Sequence, residues 1–501
     1  MDALFRVIDE AISFAYSFSD VANSTVVLVP SSLSYHMEKI ASAIDMDVET
    51  TSMVLGLFMC YPCGMVMAAL PYGRLKHLFS FLLGAFLLQF VLGKQWIHQA
   101  ITAFVSYTCF LLFPAKVNRY LVPLFAISYC IAGHVHRQYT NYMGWDLDFT
   151  GAQMVVTIKL YSMAWNLYDG ALIKKGGDLP RATQKCSKFA IDGCPDVLEF
   201  LGYIFCFSNV LAGPAFEFKV YQNAANGSLL YNPDGTAKGK IPSRVKHVLV
   251  PLFASVSTLA FFMVVGSKLP VMDPDDPQKN LPIPLIQYRS GEHILNRWIY
   301  FFVAAGCNRF KYYFAWKNAE GACNVWFAGF EGFDDKGEAI EEWGASENVD
   351  IWLCETASNV QMGTKFWNKK TALWLNRYIY TRTSGSLLIT YFMSAFWHGF
   401  YPGYYLFFMS LPMLTACERI GRKKISPRLS TGGRFSPYGC LTIIVTHTFL
   451  AYCSAPFMLL SWEWSIEIWS SFNYAGHIGM AAFYITCSLL PSVPKPKKKA
   501  A

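Results

Sequence analysis

Residues 385–416 run for 32 positions without a formally charged side chain, and His398 is the one group among them that titrates near neutral pH. As one straight helix the run would measure about 48 Å at ~1.5 Å per residue. The hydrocarbon core of a bilayer is only about 30 Å thick. Uncharged runs recur at 50–73, 78–93, 95–115, 248–266, 435–462 and 469–494, with shorter or interrupted candidates at 120–133, 151–170, 197–216 and 298–306. Several exceed the roughly 20 residues that cross a membrane as a helix. Composition agrees: 15% of residues are charged and 53% hydrophobic, against roughly 25% charged in soluble domains. The pattern predicts an all-α, polytopic transmembrane helical bundle of about 8–11 spans. An open sheet in lipid would leave backbone groups unpaired.

The chain divides into an N-terminal segment 1–49, a membrane domain 50–494 and a basic tail 495–501. Arg6, Asp9 and Glu10 interrupt the first apolar stretch, which reads as an interfacial amphipathic helix rather than a signal peptide. The fourteen cysteines lie mostly in apolar runs, where Cys behaves as a small hydrophobe; Cys60 and Cys63 read as packing rather than a redox pair. Basic loops favour the cytosol. Arg419, Arg422, Lys423, Lys424 and Arg428 form one such loop, the tail another, and two spans separate them. The intervening loop carries Glu463 and Glu467 and no Lys or Arg. A multi-pass protein with a cytosolic C-terminus follows. Lys498 and Lys499, fourth and third from the end, resemble a dilysine signal and point to the endoplasmic reticulum membrane.

Glu331, Asp334, Asp335, Glu338, Glu341 and Glu342 form an acidic patch without a metal-loop spacing, and His134 and His136 stand at the end of an apolar run. These are read as solvated or interfacial surface. No metal, no cofactor and no nucleic-acid partner are expected.

The length of 385–416 calls for a break, and Gly399, Pro402 and Gly403 mark it. Irregular backbone at membrane depth is tolerated only against protein or a water-filled cavity. His398, about one turn before the break, is therefore expected to face a cavity. Upstream, Lys365, Trp367, Lys369, Lys370, Trp374, Arg377 and Arg382 mix cations with aromatics, as do Arg309, Lys311, Tyr312 and Tyr313. Such a segment suits an interfacial aromatic belt or a polyanion at the membrane surface.

Four motifs in these stretches resemble those of the membrane-bound O-acyltransferase family, in its lysophospholipid acyltransferase branch. They are Trp145-Asp146; Arg309-x-Lys311-Tyr312-Tyr313-x-x-Trp316; Trp367-Asn368-Lys369 with Trp374-Leu375-x-x-x-Ile379-Tyr380; and Trp397-His398-Gly399-x-x-x-Gly403-Tyr404-x-x-x-Phe408. Phe366 stands where the family commonly has Ser, and Gly213-Pro214 resembles a further family feature of unassigned role.

The resemblance implies acyl transfer from acyl-coenzyme A to a lysophospholipid hydroxyl, with acyl-coenzyme A as substrate and membrane lipids around it. It makes His398 and Asn368 catalytic. It makes Trp145, Asp146, Arg309, Lys311, Tyr312, Tyr313, Lys365, Trp367, Lys369, Lys370, Trp374, Arg377, Arg382, Trp397 and Tyr404 candidates for substrate binding. The chemistry fits these roles. An alcohol is a weak acid and needs a base as it attacks; burial disfavours an imidazolium and so favours the neutral ring a base requires. A thiol of pKa about 8.5 leaves with little help. The amide of Asn368 suits either donation to the oxyanion or positioning of the hydroxyl or imidazole. Other branches of the family acylate a sterol, a diacylglycerol or a peptide. A transporter with a proton-relay histidine would show more intramembrane charge or an inverted repeat.

Overall fold

The computed structural model describes residues 31–144, 146–273, 281–429 and 432–491, together with positions 6, 10 and 13. Most of the expected N-terminal interfacial helix, Trp145, and the dilysine tail lie outside the described residues. Among the described residues every regular element is helical, with only isolated β-bridges at Tyr231–Ala237, Met272–Pro282 and Phe333–Ala339. Val48–Ala69, Arg74–Leu112, Val245–Lys268 and Pro437–Leu459 are long and apolar enough to cross a membrane. The chain is an all-α, polytopic membrane protein.

Among the described residues the apolar runs do not map one to one onto such helices, because folding joins some runs and divides others. The runs 78–93 and 95–115 follow each other through the single 3₁₀ turn Gly93–Trp96. The run 385–416 is cut into Leu387–His398 and Pro402–Lys424. Ala115–Thr140 and Phe149–Lys174 are 26 residues each but carry charged side chains.

The chain forms two compact units: one of residues 1–257, 313–348 and 373–385, the other of 258–312, 349–372 and 386–501. In the first, helix Phe149–Lys174 packs along Ala115–Thr140 and Ile97–Leu112. It begins at Asp148, whose carboxylate accepts the Thr150 N–H at 3.0 Å. It then buries Gln153, Thr157, Lys159, Asn166 and Asp169. The Lys159 ammonium donates to the carbonyls of Tyr203 (2.9 Å) and Ile204 (3.1 Å) and to Asn209 Oδ1 (2.7 Å). Those carbonyls close helix Val197–Ile204, the end at which helix geometry favours a cation. A buried charge thus has a full set of acceptors.

The acidic patch sits in the same unit, on loops over a small core of Leu230, Phe330 and Trp343. Asp334 Oδ1 accepts the N–H groups of Lys336 and Glu338, both at 2.9 Å, which tightens one turn. Among the described residues no three His, Cys, Asp or Glu side chains gather as metal ligands do. Cys60 Sγ donates to the Gly56 and Phe207 carbonyls at 3.3 and 3.4 Å, a packing role, and the cysteines are free thiols.

In the second unit helix Pro402–Lys424 packs against Leu387–His398, Pro437–Leu459 and Ala475–Leu489. Its core includes Phe301, Leu414, Tyr452, Leu459 and Trp469. The acidic stretch expected as a loop after residue 459 is the helix Trp462–Ser471, and its Glu467 takes both forks of Arg289, with Nη2 at 2.9 Å from each oxygen.

Candidate active site

The break in the apolar run falls where its glycines and proline predict. Leu387–His398 starts at Ser386, which accepts the Ile389 N–H at 3.3 Å, and ends on the histidine itself. Gly399 has φ 118°, open to glycine and strained for other residues. Pro402 then occupies the first turn of Pro402–Lys424, where its missing N–H costs nothing. His398 is thus at the break, not a turn before it.

The half-buried imidazole lies among aromatic rings. Tyr404 and Phe408, one helical turn apart, come within 5.5 Å centroid to centroid, and Phe408 is stacked at 23°. Phe457, from helix Pro437–Leu459, stands edge-on at 5.1 Å and lies 4.9 Å from Tyr404. Trp397 is buried next to it. Gly403 makes this possible: a Cβ there would collide with the Pro456 carbonyl, and the Gly403 N–H donates to the Leu460 carbonyl at 2.8 Å. The two helices therefore meet backbone to backbone just beside Phe457. Sequence reasoning missed Phe457, which is one aromatic among many in an uncharged span.

Asn368 belongs to the same unit. Its φ is +47°, the left-handed region that Asn tolerates better than most residues. Its carbonyl accepts the Ala372 N–H at 3.0 Å, so it starts helix Lys369–Trp374. The chain before it is a helical hairpin, Ile351–Glu355 and Val360–Phe366, capped by Asp350 (to Leu353 N–H, 2.9 Å) and Asn359 (to Met362 N–H, 2.8 Å). The Asp350 N–H donates to the Phe366 carbonyl at 3.1 Å and closes it. Phe366, at the position the family commonly gives to Ser, lies under the ammonium groups of Lys365 (5.1 Å) and Lys369 (5.9 Å). Lys365 is exposed, and Lys369 and Lys370 are half-buried.

The second motif meets the third in this unit. Arg309 holds Glu355 by two bonds of 2.9 and 2.7 Å, and Tyr312 stands edge-on to Trp367 at 5.7 Å. Lys311 Nζ lies 5.5 Å from the ring of Tyr312.

The remaining candidates belong to the first unit. Tyr313 is fully buried, and Trp374 packs edge-on against Tyr161 at 5.5 Å. Arg377 pairs with Glu217 at 2.9 Å and covers Phe189 at 4.4 Å. Arg382 pairs with Asp169 at 2.6 Å and lies 4.0 Å from the ring of Trp165. The sequence reading offered both guanidinium groups to phosphates; the structure commits each to a carboxylate. Asp146 is exposed, accepts from the Asn141 amide at 2.7 Å, and its carbonyl accepts from Arg137 at 2.8 Å.

The sequence model of the MBOAT, membrane-bound O-acyltransferase family matches residues 120–461. Lysophospholipid acyltransferase 6 of Drosophila melanogaster is 30% identical over 85% of this chain, which spans 58% of that protein's length. Membrane-bound glycerophospholipid O-acyltransferase 2 of Homo sapiens is 30% identical over 81% of this chain and 77% of its own. Lysophospholipid acyltransferase 1 of Arabidopsis thaliana is 27% identical over 92% of this chain and 99% of its own. The match covers the broken helix with His398 and the cap residue Asn368 alike, and the chain belongs to the membrane-bound O-acyltransferase family.

Proposed function

We propose that this protein transfers a fatty acyl group from acyl-coenzyme A to the free hydroxyl of a lysophospholipid, giving a phospholipid. The observation that carries the reading is the imidazole of His398 at a helix break, lined by Tyr404, Phe408 and Phe457 within an otherwise uncharged run. The names of the fly, human and Arabidopsis relatives support the acceptor class.

In this mechanism the lysolipid oxygen attacks the thioester carbonyl while a ring nitrogen of His398 takes the hydroxyl proton. The carbonyl oxygen becomes an oxyanion, to which the Asn368 amide donates. Collapse of the tetrahedral intermediate breaks the carbon–sulfur bond. The coenzyme leaves as a thiolate and takes from the imidazolium the proton that came off the hydroxyl. The aromatic lining excludes water, which would otherwise hydrolyse the thioester. With Arg377 and Arg382 held by Glu217 and Asp169, we assign the coenzyme's phosphates to Lys365, Lys369 and Lys370 beside Asn368. Such a mouth faces the cytosol, in keeping with the basic loop 419–428, and the enzyme works in the endoplasmic reticulum membrane.

The test is purified protein in proteoliposomes with labelled oleoyl-coenzyme A and a panel of lysophospholipids, a sterol and a diacylglycerol. Label should appear in diacyl phospholipid. Transfer only to the sterol or the diacylglycerol would replace the acceptor, and transfer to none would end the proposal.

A further inference from the structure

Glu355 lies in none of the four motifs, yet it ends a helix of the hairpin that leads to Asn368. Its carboxylate receives Arg309 Nε on Oε1 and Nη2 on Oε2, at 2.9 and 2.7 Å. This fork-to-fork pairing is the strong and geometrically selective kind. The Tyr312 N–H donates to the Arg309 carbonyl at 3.0 Å, so Arg309 and Tyr312 spring from a single helical turn. Tyr312 meets Trp367 at the far end of the hairpin, immediately before Asn368. One turn thus grips the hairpin twice, at the end of its first helix through Arg309 and at its base through Tyr312. Arg434 adds a third hold, with Nη1 3.2 Å from Thr356 Oγ1.

We infer that Glu355 is a positioning residue for Asn368, and that Arg309 serves this hairpin rather than a coenzyme phosphate. The inference rests on Asn368 acting at the thioester, as proposed above. The hairpin is short, closed by the Asp350–Phe366 bond and capped at both helices, so a shift at Glu355 is transmitted to Trp367 and Asn368 rather than absorbed. A displacement of about 1 Å in a reacting group costs roughly 10²-fold in rate. A positioning pair therefore acts on kcat, whereas a phosphate ligand acts on KM for the acyl donor.

Full-length variants in proteoliposomes, normalised to folded protein, separate the two. Acyl-coenzyme A is varied at saturating lysophosphatidylcholine. Glu355→Gln should lower kcat about 10- to 100-fold with KM for acyl-coenzyme A within about twofold. Arg309→Glu should do the same or worse, and the exchanged pair Arg309→Glu/Glu355→Arg should regain at least about tenfold. A KM rising with kcat held in Arg309→Glu, without recovery in the exchange, would make Arg309 a phosphate ligand and overturn the inference. Should the exchanged protein fail to fold, an unchanged kcat in Glu355→Gln overturns it alone. Asn368→Ala in the same preparation tests the underlying reading: full activity there removes the role of Asn368, while a dead Asn368→Ala beside a normal Glu355→Gln removes only the positioning.

Discussion

Arg377 donates to Glu217 at 2.9 Å, and the same carboxylate accepts the Tyr378 hydroxyl and the Asn166 amide on its other oxygen, each also at 2.9 Å. Glu217 follows the Gly213-Pro214 segment, whose role the sequence leaves unassigned. Three groups from two distant segments thus converge on one carboxylate, holding the π-helical turn Leu375–Tyr380.

Removing Glu217 should accordingly cost stability. Breaking a buried ion pair from one side costs about 3–5 kcal/mol; Arg377 is 19% exposed, so the lower end of that range applies. Glu217→Ala should lower the melting temperature in detergent markedly, and Glu217→Gln, which keeps hydrogen-bonding capacity, should lower it less. Equal melting of both variants and wild type would remove the structural role.

Neutralising Lys365, Lys369 and Lys370 together should raise KM for acyl-coenzyme A while KM for the lysolipid holds, since the donor carries the polyphosphate. Arg377→Gln should instead act on stability. The reverse assignment would follow if Arg377→Gln raised the donor's KM without loss of thermal stability.

His398→Gln keeps a polar side chain but no base. Turnover should fall by about 10²–10⁴-fold, the usual contribution of a positioned base, with melting near that of wild type. A structural histidine would do the opposite, leaving a buried partner unpaired at about 1–3 kcal/mol. Measuring transfer rate and melting on one sample decides between them.

Phe457→Ala opens space beside the imidazole, whereas Phe457→Tyr preserves the ring. We expect kcat to drop at least about tenfold in the first, from loss of orientation, and to be largely retained in the second. A Phe457→Ala enzyme with normal kcat would show that the edge-on ring merely fills space.

A cysteine placed at Ser426 should react with an impermeant thiol reagent on the cytosolic side of sealed microsomes. The exposed native Cys194 and Cys440 must be replaced first. Labelling only after the lumen is opened would invert the orientation.

The break at Gly399–Pro402, written in consecutive residues, was legible from the sequence. Contacts closed by tertiary structure were not. The partners of Arg377 and Arg382 lie 160 and 213 positions away, and no local pattern links a cation to a carboxylate across that distance. Phe457 reaches the histidine only because Gly403 lets two backbones touch. Apolar runs and helices do not coincide for a similar reason: hydropathy measures runs, and the fold decides where a helix stops.

The left-handed φ of Asn368 narrows which amino acids that position can hold. Most side chains would lose about 1–2 kcal/mol there; glycine, asparagine and aspartate are the natural occupants. Of these three, only asparagine brings an N–H donor on its side chain. Backbone shape and the donor role proposed for this position therefore select the same residue independently. Glutamine, its nearest chemical relative, is the poorer substitute in conformation, and glycine, the easiest conformationally, brings no amide at all.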